Sequence, residues 1–391
     1  MNAGIFLLGL AYVLSQFFRA FLAVLAEILE TDIGASPDDL AFASGLWFFA
    51  FAACQIPIGM ALDNVGPRRT AGWLLLLGGA GGAAVFAMAT TPAHISIAMA
   101  LIGVGCAPVL MASYYIFARE YPPAQFAVLA SVMVGLGSLG NLFASYPMAI
   151  AAQMLGWRMS LWGLAALCAL VAFGTLGLVK DPARVTGPLR GSLAQLLRIR
   201  GLWLIFPLMG VSYAFPAAMR GLWIGPYLAD VFDADTVMIG QASLLMGLAM
   251  VLGALAYGAV DRISPSRKWL IAGGSGVALI AGLALVLWPA ASMAISLTSI
   301  CIIGFFGATY PVIMAHGRSF LPPHMIGRGV TMLNLFSIGG VGIVQFLSGR
   351  IYRAALPAET AAAPYVAVFV LFSAVFVLGY AVYLFSSDRA D

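Results

Sequence analysis

Two arginines interrupt otherwise apolar stretches. Arg19 follows Tyr12 by seven residues, and Arg220 follows Tyr213 by seven residues. On a continuous helix, seven residues are two turns, so each tyrosine and its arginine share nearly one face. A guanidinium within an apolar span costs about 2.5–3.5 kcal/mol on the insertion scale, so it needs a compensating partner. No Asp or Glu lies near the middle of any apolar run. The least costly partner is an anion in an aqueous cavity, since a guanidinium fork binds carboxylate or phosphate bidentately. Tyr12 and Tyr213 add hydroxyl donors. Tyr115, Tyr310 and Asn334 are the next candidate substrate contacts. In the competing reading both arginines are structural, bonded to backbone carbonyls of broken helices; Pro216 and Gly221 flank Arg220 and could free such carbonyls.

These residues need elements that cross a membrane. Of the 391 residues, 62% are hydrophobic and 9% charged. A soluble chain is about 45–50% apolar and about 25% charged, so soluble, disordered and coiled-coil classes are excluded. Twelve apolar runs fall at 5–28, 38–62, 70–90, 93–118, 124–153, 159–179, 202–228, 236–260, 269–289, 291–316, 326–349 and 363–385. They are too long and too uniform for strands of a transmembrane barrel, so they are helices. The expectation is an all-α integral membrane protein.

Basic residues set the orientation. Most of the 19 Lys and Arg residues, including Arg68, Arg69, Arg119, Lys180, Arg267, Lys268 and Arg318, share one side if the first run starts in the cytoplasm. Both termini are therefore expected in the cytoplasm. The net charge of +4 reflects this topology and not a nucleic-acid partner.

The polar segment 180–201 divides the spans six and six. This predicts a bundle over 1–179, a cytoplasmic linker over 180–201 and a second bundle over 202–391. The halves share more than span number. Gly59 and Asp63, then Arg68 and Arg69, follow Arg19. Gly258 and Asp261, then Arg267 and Lys268, follow Arg220. Pro108 and Pro311 open similar stretches in spans four and ten, each trailed by an arginine and a Pro-Pro pair. A duplicated six-helix unit is the reading, and such repeats are common in secondary transporters, with substrate bound near the midplane where the repeats meet.

The stretch from Gly59 to Arg69 carries Asp63, Gly66, Arg68 and Arg69 in the loop after span two. This resembles the signature of the major facilitator superfamily, G-x-x-x-D followed by basic residues and a glycine. Asp261 and Arg262, with Arg267 and Lys268, look like its degenerate second copy. The resemblance covers the whole chain through its twelve-span plan. It implies the major facilitator fold, with two pseudo-symmetric six-helix bundles, and a gate formed by Gly59, Asp63, Gly66, Arg68, Asp261 and Arg262. Asn64 and Pro67 stand where that signature is usually basic. The arginine pair on spans one and seven is similar to the organophosphate:phosphate antiporter branch, where it implies phosphate binding. The glycine-proline pattern of drug/proton antiporters in span five is not met.

Other motifs carry no chemistry. Gly135, Gly137 and Gly140 spell G-x-G-x-x-G inside an apolar span, without the strand or acidic residue of a dinucleotide site, and read as close helix packing. No phosphate-binding loop is present. His94, His316 and His324 are scattered at span ends, and Cys54, Cys106, Cys168 and Cys301 form no CxxC pair. No nucleophile–base pair stands out, so an enzyme is not expected, nor a cofactor or a metal. The expectation is a monomeric secondary transporter of the inner (cytoplasmic) membrane, carrying a small organic or phosphorylated anion by exchange or with a proton. An exporter of amphipathic drugs or metabolites and a transporter-like ligand sensor are the alternatives.

Overall fold

The structure is a computed structural model that describes residues 3–182, 196–261, 263–321 and 326–388. Among these residues the regular structure is helical, and nine helices are long and apolar enough to cross a bilayer. Two bent pairs raise that number to eleven. Ala3–Phe17 with Leu22–Ile33 forms span one, bent by 53°, and Pro37–Ala53 with Gln55–Asn64 forms span two, bent by 41°. Pro123–Phe143 and Tyr146–Leu155 follow where span five is predicted. The arrangement is consistent with twelve spans. Helices are the form that satisfies every backbone N–H and C=O inside one segment, which lipid requires.

Local sequence sets where spans begin and end. Span two opens on a capping box: the Asp39 amide donates to Ser36 Oγ at 3.5 Å, and the Ser36 amide donates to Asp39 Oδ2 at 3.2 Å, with Pro37 in the first turn. Ser266 and Ser292 are simple N-caps of the helices Arg267–Leu287 and Met293–Gly307, accepting from the Trp269 and Ile295 amides. Large apolar side chains such as Leu77, Leu170, Ile280 and Leu378 stand exposed on the helix surfaces. Water would penalise that surface, and acyl chains solvate it.

The chain divides into two compact units, Met1–Gly187 with Thr236–Gln241, and Pro188–Asp235 with Ala242–Asp391. Most of the predicted linker, 180–201, lies outside the described residues. The units repeat the same close approaches. In the first, a Cβ on Gly140 of span five would lie 2.0 Å from the Val13 carbonyl oxygen of span one. In the second, a Cβ on Gly340 of span eleven would lie 2.0 Å from the Gly210 carbonyl oxygen of span seven. Only glycine lets these backbones meet. The motif-like Gly137 and Gly140 therefore serve helix packing, Gly137 against the Tyr12 ring, whereas Gly135 faces open space.

Candidate functional site

Arg19 sits in the break of span one. The first helix ends at Phe17 and the next begins at Leu22; between them the Arg19 amide donates to the Gln16 carbonyl at 3.3 Å, a tighter turn than the α-helix makes. No proline or glycine causes this break. The Phe17, Phe18 and Phe21 rings pack there on one another, and Phe21 packs on Phe86 with centroids 5.3 Å apart. The half-buried guanidinium lies 5.0 Å from the Trp47 ring and 5.0 Å from the Phe51 ring. Those rings are one turn apart on span two and stack at 5.2 Å. This is a cation–π seat. No carboxylate lies within ion-pair distance of Arg19 among the described residues.

The helix that carries Tyr12 ends at Phe17, so Arg19 lies in the break and not on one continuous helix with Tyr12. Tyr12 is buried, its ring against Gly137, and its hydroxyl accepts from Gln16 Nε2 at 3.1 Å.

Arg220 lies in a π-helical turn, Met219–Trp223, and is 2% exposed. Pro216 stands before it and Pro226 after it, each removing a backbone donor. Such π-turns recur at functional sites. Nearby on the same span, the Trp223 indole donates to Ser348 Oγ at 2.9 Å, and Ser348 donates to the Gln345 carbonyl at 2.8 Å. Tyr213, Tyr310 and Asn334 do come together. The Tyr213 and Tyr310 rings are 5.7 Å apart, and the Tyr310 hydroxyl donates to Asn334 Oδ1 at 2.7 Å.

At one end of the first unit, Asp63 closes span two. Its Oδ1 accepts from the Tyr115 hydroxyl at 3.0 Å and from Arg119 at 3.4 Å, and the Arg119 guanidinium lies 4.1 Å from the Tyr115 ring. Tyr115, expected among the substrate contacts, is thus held on Asp63. Gly66 follows with φ +101°, and the Arg68 amide donates to Asp181 Oδ1 at 2.8 Å. In the second unit Arg267 Nε donates to Asp261 Oδ1 at 3.0 Å, and the Lys268 amide donates to Asp388 Oδ1 at 3.3 Å. Arg262 lies outside the described residues. A Cβ on Gly59 would meet nothing within 4 Å, so close helix approach does not explain this glycine.

A family profile of the Major Facilitator Superfamily matches residues 8–345. The chain belongs to this superfamily. It is a membrane transporter and not an enzyme, and secondary transport is the function that the family membership supports. A chloramphenicol resistance protein of Streptomyces lividans is 26% identical over 302 residues, covering 75% of this chain and 73% of that one. Solved structures share the fold. A D-xylose-proton symporter has a TM-score of 0.78 at 14% identity, covering 98% of this chain and 97% of its own. A bacterial homologue of the human lysosomal transporter Spinster, inward-facing and unoccupied, has a TM-score of 0.75 at 16% identity, with coverage of 98% and 96%.

Sequence reasoning missed four residues that this superfamily member places around the candidate positions. Trp47 and Phe51 form the seat of Arg19; their signal was two aromatic residues four apart on the neighbouring span. Asp181 and Asp388 accept from the first turns of spans three and nine; their signal was an aspartate just past the last span of each half.

Proposed function

We propose that this transporter carries a small organic or phosphorylated anion across the inner membrane, with Arg19 and Arg220 as the binding cations of the two units. The carrying observation is Arg19: a half-buried guanidinium at a helix break, held on two aromatic faces, with no carboxylate in ion-pair range among the described residues. Such a charge keeps its attraction for an incoming oxyanion. Exchange of one anion for another fits a chain whose spans carry no acidic residue near their middles. The distribution of Lys and Arg supports cytoplasmic termini. Tyr213, Tyr310 and Asn334 supply further hydroxyl and amide groups in the second unit. Asp63 with Tyr115 and Arg119, and Asp261 with Arg267, act as gate contacts, and the protein works as a monomer of two six-span bundles joined by 180–201.

The test is a thermal-shift screen of wild type and Arg19→Gln against phosphate, sugar phosphates, carboxylates, nitrate and amino acids. A ligand at 100 times its Kd stabilises by about 2.7 kcal/mol. The expected result is an anion that shifts wild type and not the variant. If Arg19→Gln responds as wild type does, the arginine is structural.

The chloramphenicol resistance protein favours a second reading, export of amphipathic compounds. Shifts from neutral or cationic compounds alone, equal in both proteins, would support it.

A further inference from the structure

Trp47 is 0% exposed, yet its indole Nε1–H meets no acceptor among the described residues. A buried donor left unmade is unfavourable, and native structures rarely retain one without a ligand, a water or a function. The Nε–H of Arg19 is in the same condition, and its guanidinium lies 5.0 Å from the Trp47 ring. Two unmade donors therefore stand on adjacent groups, one of them charged. The Trp47 ring is not free to turn away. Phe51 stacks on the Trp47 ring, and Phe48 packs edge-on with centroids 4.9 Å apart. Behind it, span four presses on the Trp47 backbone: a Cβ on Gly103 would lie 2.4 Å from the Trp47 carbonyl oxygen. The Trp47 ring is thus held in place beside the Arg19 guanidinium.

We propose that Trp47 is an anion-binding residue in its own right, its indole N–H and the Arg19 Nε–H together holding one carboxylate or phosphoryl group of the substrate. This rests on the reading of Arg19 as an anion-binding residue. The pair selects a group with two acceptor oxygens on one centre. A neutral amphipath offers no such group and leaves both donors unmade.

The experiment uses the full chain in detergent with 15N-labelled tryptophan, titrated with inorganic phosphate, glycerol 3-phosphate and succinate. The first two probes report phosphoryl recognition and the third carboxylate recognition. The Trp47 indole resonance, identified by its loss in Trp47→Phe, is expected to move on addition of a binding probe. Trp47→Phe keeps an aromatic ring beside the guanidinium and removes the donor together with part of the ring; it is expected to weaken that probe about tenfold or more. If Trp47→Phe binds with wild-type affinity while Arg19→Gln does not, the donor pair is wrong and the arginine reading stands. If Arg19→Gln also binds normally, or no probe binds, both fall. Should Trp47→Phe fail to fold, the wild-type indole decides: a resonance unmoved at saturation overturns the proposal.

Discussion

The amide of Arg68 donates to the carboxylate of Asp181 at 2.8 Å, across 113 residues of sequence. The Lys268 amide makes the corresponding bond to Asp388 at 3.3 Å in the other unit. In both, an aspartate just beyond the last helix of a unit caps the first turn of its third helix, where orphan N–H groups and the helix dipole favour an anion. The duplication visible in the gate loops thus extends to a contact whose two ends are far apart in each half.

Gly66 makes the first of these contacts possible. Its φ is +101°, and a Cβ there would lie 2.8 Å from the Asp181 carboxyl carbon. Gly66→Ala is expected to lower stability by about 1–3 kcal/mol, from backbone strain and displacement of Asp181 together. Asp181→Asn, which keeps the acceptor oxygen, is expected to cost less. Thermal unfolding of both variants in detergent checks the order, and an unchanged Tm for Gly66→Ala would contradict it.

Tyr115 and Arg119 share one oxygen of Asp63. Tyr115→Phe and Arg119→Gln should each weaken the contact to Asp63, and the double variant should show coupling of about 0.5–3 kcal/mol, because the two donors act on a single acceptor. A double-mutant cycle on thermal stability measures it. Strict additivity would mean that the contacts are independent.

Gly140 and Gly340 each leave no room for a methyl group, with carbonyl oxygens 2.0 Å from an added Cβ. Alanine at either position is expected to destabilise its unit by about 1–3 kcal/mol or prevent folding. Gly163, whose Cβ would meet nothing within 4 Å, serves as the control. Folded yield and Tm for the three variants separate crowding from a general intolerance of alanine.

Arg220 is 2% exposed inside its π-turn. Arg220→Lys keeps the charge and removes the planar fork, so transport is expected to fall at least tenfold with the Tm little changed. Vesicle uptake of the anion found in the thermal-shift screen, run beside Tm, reads both quantities. Wild-type uptake in Arg220→Lys would show that only charge matters there.

The sequence by itself determined the class of fold, the twelve spans, the duplication and the family. Those are properties of local composition and order: about 20 apolar residues cross a bilayer whatever their neighbours are, and a repeated loop motif is read without knowing what it touches. It also named Arg19 and Arg220 as charges in need of a partner. Tertiary structure alone decided how they are held. The break at Arg19 sits among the packed rings of Phe17, Phe18 and Phe21, with no proline or glycine to announce it. Its seat on Trp47 and Phe51 comes from another span. Tyr115 reads from sequence as a candidate substrate contact, but its hydroxyl donates to Asp63. Side-chain direction and long-range pairing depend on where whole helices meet, and local order does not specify that.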